Sequence, residues 1–349
     1  MSGRLGTSAS FLSFVVLMLF CSTAQARTWY VPSEYPTIHA GLDSASYGDT
    51  VLVAPGTYYR TEDPETRINP GPGVHLVSQS GPDVTTIESC SGVGVKFENS
   101  EGASLSGFTV RYGPSPDCEP LMAPGSAVYC FECTDVIVEN CILEHTSYGI
   151  KVNGASQGWW KPVFRNNTIR DCVAGIYCTE VYEPERPLFQ GNFITQCNRG
   201  AEIWNSSPSF DANRIVNNRE WGAEFFNHCG GNWTRNVIAY NVSGGVYVNV
   251  DPPLATPDFN GGWEDALAND FYGNGGFDIS YIHGGGLTGP LMAIYNYWGS
   301  RCPDFEHKLN GDVKYSPWVD STHTERIYVV DCPGATEPST WGSIKALFR

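Results

Sequence analysis

A short unit written five times over between Tyr148 and Asn249 limits this chain to one kind of architecture. Each copy begins at a glycine, runs through an alternating strand and returns through an Asn-x-Ile step: GIKVNG to NNTI, GIYCTE to GNFI, GAEIWN to ANRI, GAEFFN to RNVI, then GGVYVN. The glycines are Gly149, Gly175, Gly200, Gly222 and Gly245, and the asparagines are Asn140, Asn167, Asn192, Asn213 and Asn236. A period of about 22 to 27 residues lies in the solenoid range, and a unit so short must stack on its neighbours to bury an apolar face.

The content of the unit selects the solenoid. The pairs Ile150/Val152, Ile176/Cys178, Ala201/Ile203, Ala223/Phe225 and Val246/Val248 alternate with period two, and no helical run interrupts them. Helical repeats are thereby excluded, and a leucine-rich repeat lacks its leucines. The pattern predicts an all-β chain folded as a right-handed parallel β-helix, each coil about 4.8 Å above the last, with alternate residues filling the bore. Asn in one slot of successive coils predicts a side-chain ladder inside a tight turn.

The first residues read as a targeting segment. Arg4, the apolar run Phe11 to Phe20 and Ala24-Gln25-Ala26 form a signal-peptide pattern over residues 1–26, cleaved after Ala26. The expected layout is a β-helix with its N-terminal cap over 27–320 and a tail with a short helix over 321–349. The run is too short to span a bilayer, so the product is expected to be secreted or held at the cell surface, as a monomer without a membrane span. With 21 basic against 37 acidic residues the chain is not suited to nucleic acid, whose phosphates call for clustered Lys and Arg. Neutral glycans, or an acidic polymer bridged by cations, fit that balance.

Of twelve cysteines, eleven follow the signal, so one at least is left without an internal partner. Cys172 and Cys197 occupy equivalent places in adjacent coils, within bridging reach, and Cys302 and Cys332 flank the tail and could staple it. Cys130 and Cys178 share an inward column two coils apart and read as buried small apolar residues. Cys130-Phe131-Glu132-Cys133 has no second pair at zinc-finger spacing.

Ahead of the repeats, Pro36-Thr37 and the spacing of Ile38, Leu42 and Ala45 predict an amphipathic helix able to plug the open first coil, followed by a strand at Thr50 to Ala54. Two runs, YPTIHAGLDSA…GDTVLVAPGTY and NYWGS…DVKYSPWVD, together with the repeats, resemble secreted bacterial right-handed β-helix proteins of the pectin-lyase-like group. That resemblance implies the fold and a carbohydrate context. It brings no activity, because the Asn-x-Asp, Asp-Asp, Gly-His-Gly and Arg-x-Lys signatures of polygalacturonases do not occur as a set, and the clustered Asp and neighbouring Arg of pectate lyases are missing.

Alternation also assigns the outward residues. One column reads Lys96, Tyr129, Lys151, Tyr177, Glu202, Glu224, Tyr247 and Asp278; the next reads Glu98, Phe131, Asn153, Thr179, Trp204, Phe226, Asn249 and Ser280. Trp204 beside Phe226, flanked by Tyr177 and Tyr247, makes an apolar ledge suited to sugar rings, with Lys151, Asn249 and Asp278 at hand for hydroxyls. Glu202 and Glu224 fall about 5 Å apart, the separation of a retaining glycosidase pair. Three functions fit: a secreted β-helix that binds polysaccharide without catalysis, a lyase or glycoside hydrolase, or a structural cell-surface protein. No cofactor is called for, calcium being the ion such an acidic face could take. His145, His228 and His283 sit near strand ends and share no column.

Overall fold

The computed structural model describes residues 25–60, 68–89, 92–113, 125–154, 161–181, 186–250, 256–261, 267–283 and 289–332. Residues 1–24 of the expected signal segment, the expected tail helix, Cys90 and Cys118 lie outside them. The described residues form a right-handed parallel β-helix of three sheets, each with nine strands.

One coil shows the plan. Ile137–Glu139 lies in the first sheet, a tight turn leads to Ile142–Glu144 in the second, and Tyr148–Asn153 forms the longer strand of the third. Each strand pairs in parallel with its counterpart one coil on, as Val138 with Phe164, Leu143 with Ile169 and Val152 with Cys178. The inward residues of all three sheets are buried, including every member of the five alternating pairs. Phe164, Phe189, Phe210 and Trp233 stack through the bore with ring centroids 3.9–4.9 Å apart.

The turn between the first two sheets contains the expected ladder. Asn167, Asn192, Asn213, Asn236, Asn269 and Asn296 are buried, each amide up to Asn269 donating to the next side-chain oxygen at 3.0–3.1 Å and that of Asn296 to the Phe259 and Ala293 carbonyls. Each side-chain oxygen also accepts the backbone N–H of the coil below, so the slot satisfies polar groups that no water reaches. Asn140 is not in the ladder. It is exposed at φ 55°, and Cys141 fills the slot, its N–H donating to Asn167. Ile142 pairs with Thr168 rather than Ile169, one residue away from the alignment that Asn-x-Ile suggests.

A second ladder runs through Asn218, Asn241 and Asn274 in the turn between the second and third sheets. Cys172 and Cys197 lie in the same column and are not bridged. Each thiol points to a backbone carbonyl two residues back, Arg170 at 3.2 Å and Thr195 at 3.5 Å, and Cys197 N–H donates to Asn218. Their thiols are thus engaged with turn backbone, as the amides are in later coils. Cys130 and Cys178 are buried apolar residues as expected, and Cys302 is joined to Cys332 with Cα atoms 5.5 Å apart.

The repeating glycine has a steric cause. A Cβ on Gly149, Gly175, Gly200 or Gly222 would meet the carbonyl oxygen of the next glycine in the column at 2.3–2.6 Å. The chain bends at this corner as it enters the third sheet, and only a residue without a side chain lets adjacent coils approach. At the N-terminus, α1 (Ile38–Ser44) closes the bore, its Thr37 hydroxyl accepting from Ala40 N–H and its Ile38 and Leu42 buried. No helix among the described residues is long and apolar enough to cross a membrane.

Candidate functional site

The outward face of the third sheet gathers most of the residues singled out above. Lys96, Tyr129, Lys151, Tyr177, Glu202, Glu224 and Tyr247 stand in register as one column. Glu98, Phe131, Asn153, Thr179, Trp204, Phe226 and Asn249 form the next. Asp278 belongs to neither. Ser280 pairs with Tyr247 and Ile282 with Asn249, a slip of two residues from the expected alignment. Asp278 instead occupies the glycine corner beyond Gly245, buried, with its carboxylate on Lys308 Nζ at 2.6 Å and Asn274 Nδ2 at 2.7 Å. Burial raises its pKa and Lys308 opposes that shift, so this carboxylate braces the corner and does not face the groove.

The aromatic ledge is present. Trp204 and Phe226 stack with ring centroids 4.3 Å apart and planes at 21°, and Tyr247 continues the row 6.0 Å from Phe226. Trp204 is oriented by its own strand, its indole Nε1 donating to Glu202 at 2.8 Å. Two coils below Trp204, the Lys151 ammonium lies 5.3–5.7 Å from the ring centroids of Tyr129, Tyr148 and Tyr177, a distance at which ring faces attract a cation. The face is therefore basic and tyrosine-lined at its lower end and acidic at its upper end.

At the acidic end a residue absent from the sequence reading takes the centre. The Arg199 guanidinium contacts Glu202 at 2.8 Å, Glu220 at 3.0 Å and Glu224 at 2.9 Å. It fills the position that a bridging cation would take between those carboxylates. Among the described residues, no group of His, Cys, Asp and Glu is arranged to hold a metal. Glu224 is the buried member of the set. Burial, the largest influence, lifts its pKa to about 7; Glu202 and Glu220 push the same way and Arg199 pulls against them. Its Oε2 contacts the guanidinium without a hydrogen bond of good geometry, so one carboxylate beside the ledge is hydrogen-bond deficient.

Arg199, Trp221 and Tyr148 share a column just before the corner glycine, where strict alternation would send their side chains into the bore. The bend at the glycine reverses that sense and puts them on the ledge side. An Arg in an apparently inward slot was the signal that could have exposed the bend. His145 and His228 lie on turns away from this cluster, and the side chain of His283 is outside the described residues.

Comparisons with known proteins agree with the architecture. The family described as "Right handed beta helix region" matches over residues 65–208 and again over 126–261, together more than half the chain. No curated protein matches. Among solved structures, the A-module of the Azotobacter vinelandii mannuronan C-5 epimerase AlgE4 superposes with a TM-score of 0.54 at 14% identity, covering 81% of this chain and 89% of that one. Pectate lyase Pel9A is similar at a TM-score of 0.47 and 14% identity, covering 74% and 78%. At such identities the likeness concerns the fold alone.

Proposed function

We propose, for a chain that belongs to the right-handed β-helix family, that it binds a polysaccharide laid along the outward face of its third sheet. The observation that carries this reading is the Trp204–Phe226 stack on a solenoid face, where packing calls for no aromatic residue. Neither ring fills the bore. Their faces suit the C–H faces of sugar rings, while Glu202, Arg199, Lys151 and Asn249 stand within the same register for hydroxyls and acidic groups. The superposed epimerase is named for mannuronan, a polysaccharide, which supports a partner of that class. The first 26 residues support export, where such polymers are met.

The test is affinity electrophoresis of Trp204→Ala/Phe226→Ala through gels containing single glycans. The double variant is expected to keep the circular dichroism of the parent and lose about tenfold in retention, the worth of one well-stacked aromatic contact. Parent-like migration on every glycan that retards the parent would remove the ledge from consideration.

One observation favours a second reading, a glycoside hydrolase or lyase. Glu224 combines a pKa near neutrality with a neighbouring carboxylate, Glu202, one coil away. A pair so placed can divide the work of acid and charged partner.

A further inference from the structure

A second set of aromatic residues sits around the corner from the groove, at the edge of the second sheet. The residues that end successive strands there are His145, Asp171, Gln196, Asn217, Tyr240 and Gly273, all with φ between 53° and 66°. This left-handed conformation suits glycine and asparagine and is costly for a bulky ring. Tyr240 breaks the pattern of small or polar residues, and the next coil accommodates it: a Cβ on Gly273 would lie 2.4 Å from the Tyr240 ring. The ring packs over that glycine, yet 55% of the residue remains exposed. Neither burial nor backbone preference accounts for a tyrosine there.

Its neighbours extend the feature. Tyr272 meets Tyr240 edge-on, centroids 5.4 Å apart at 87°, and Tyr297 follows 6.4 Å beyond Tyr272. Asp270 begins the strand that carries Tyr272, is bridged to Tyr297 in the next coil, and bonds His323 Nε2 through Oδ1 at 2.7 Å. Among the described residues, Asp270 Oδ2 and His323 Nδ1 make no hydrogen bond, which leaves polar groups beside the rings.

We propose that Tyr240, Tyr272 and Tyr297, with Asp270 and His323, form a second glycan-binding site, distinct from the groove and suited to a neutral sugar chain. The two perpendicular rings form a corner that takes the apolar face of a sugar, and Asp270 and His323 supply partners for its hydroxyls. The carboxylate is already engaged by an imidazole, and no unopposed cluster of one charge sits on the shelf. A neutral polyol therefore matches it better than an ionic group.

The experiment compares wild type, Tyr240→Asn, Tyr240→Asn/Tyr272→Ala and Trp204→Ala/Phe226→Ala by affinity electrophoresis in hydroxyethylcellulose, galactomannan, xyloglucan and mixed-linkage β-glucan. Tyr240→Asn installs the residue that the column carries at Asn217, so the fold should be unharmed or slightly steadier to heat. Retention on at least one glycan should fall about tenfold in the tyrosine variants and persist in part in the groove variant. If the tyrosine variants migrate as wild type while the groove variant loses retention, the second site is overturned and the groove stands. Loss in the tyrosine variants alone upholds the second site and removes the groove for those glycans. A wild type that none of the four glycans retards overturns the proposal, as does a Tyr240→Asn variant that loses thermal stability and keeps its retention.

Discussion

Replacing Asn213 by Ala removes a side chain with four hydrogen bonds and leaves its backbone N–H bond to Asn236 in place. The Asn213 oxygen accepts from Asn192 N–H at 2.9 Å and Asn192 Nδ2 at 3.0 Å; its amide donates to the Phe189 carbonyl at 2.8 Å and to Asn236 Oδ1 at 3.0 Å. After truncation the Asn236 oxygen keeps the Asn213 N–H, and Asn192 Nδ2 keeps the Phe164 carbonyl. The group left short is the Asn192 N–H, inside the stack, whereas the Phe189 carbonyl keeps its place in the strand ladder. At about 1–3 kcal/mol for a buried polar group left unpaired, and with a small cavity in addition, the expected loss is roughly 2–4 kcal/mol. That corresponds to a fall of roughly 5–10 °C in the unfolding midpoint of a domain of this size. Asn140→Gly is the matched control: it removes an exposed asparagine at a left-handed position and should change stability by no more than about 0.5 kcal/mol. Thermal unfolding followed by circular dichroism measures both. Equal midpoints for the two variants would refute the claim that the ladder, and not the recurrence of Asn in turns, stabilises the stack.

Two further outcomes concern Glu224. Its folded-state pKa, raised from 4.5 to about 7, means that the folded protein holds a proton that the unfolded chain has released. Stability from this group is therefore present below about pH 4.5 and is lost as pH climbs through about 7, by an amount on the order of 3 kcal/mol. Glu224→Gln should flatten that limb, as seen in denaturant midpoints between pH 4 and 8, and a wild-type curve without it would show that the carboxyl is not held protonated. If the groove also catalyses glycoside hydrolysis, release of reducing ends should need Glu202 and Glu224 together and should decline above about pH 7, whereas a lyase would gain unsaturated product in alkali as its base is freed. Retained activity in either Glu→Gln variant would exclude the pair.

The alternating pairs from Ile150 to Val248 and the recurring glycine and asparagine were enough to determine a parallel solenoid, the residues that fill its bore and fourteen consecutive outward positions. A period-two strand leaves its side chains no third direction, and a unit too short to hide its apolar face must stack. Both conclusions are local, and both could be read without coordinates. What the tertiary structure decided depends on contacts between coils. The glycine corner, where a Cβ would strike the carbonyl of the next coil, reverses the sense of alternation and turns Arg199 and Trp221 outward. Asp278 stands at that corner, paired with Lys308 of the coil above, two residues away from the groove column in which alternation placed it. Cys141 takes the ladder slot in place of Asn140 because the slot is defined by the N–H and carbonyl groups of its neighbours, not by residue type. The gathering of Glu220 and Glu224 round the guanidinium of Arg199, and the seating of a tyrosine over a glycine one coil away, are likewise products of stacking: these partners sit on successive coils, far apart in the chain, and meet only when one coil is laid on the next.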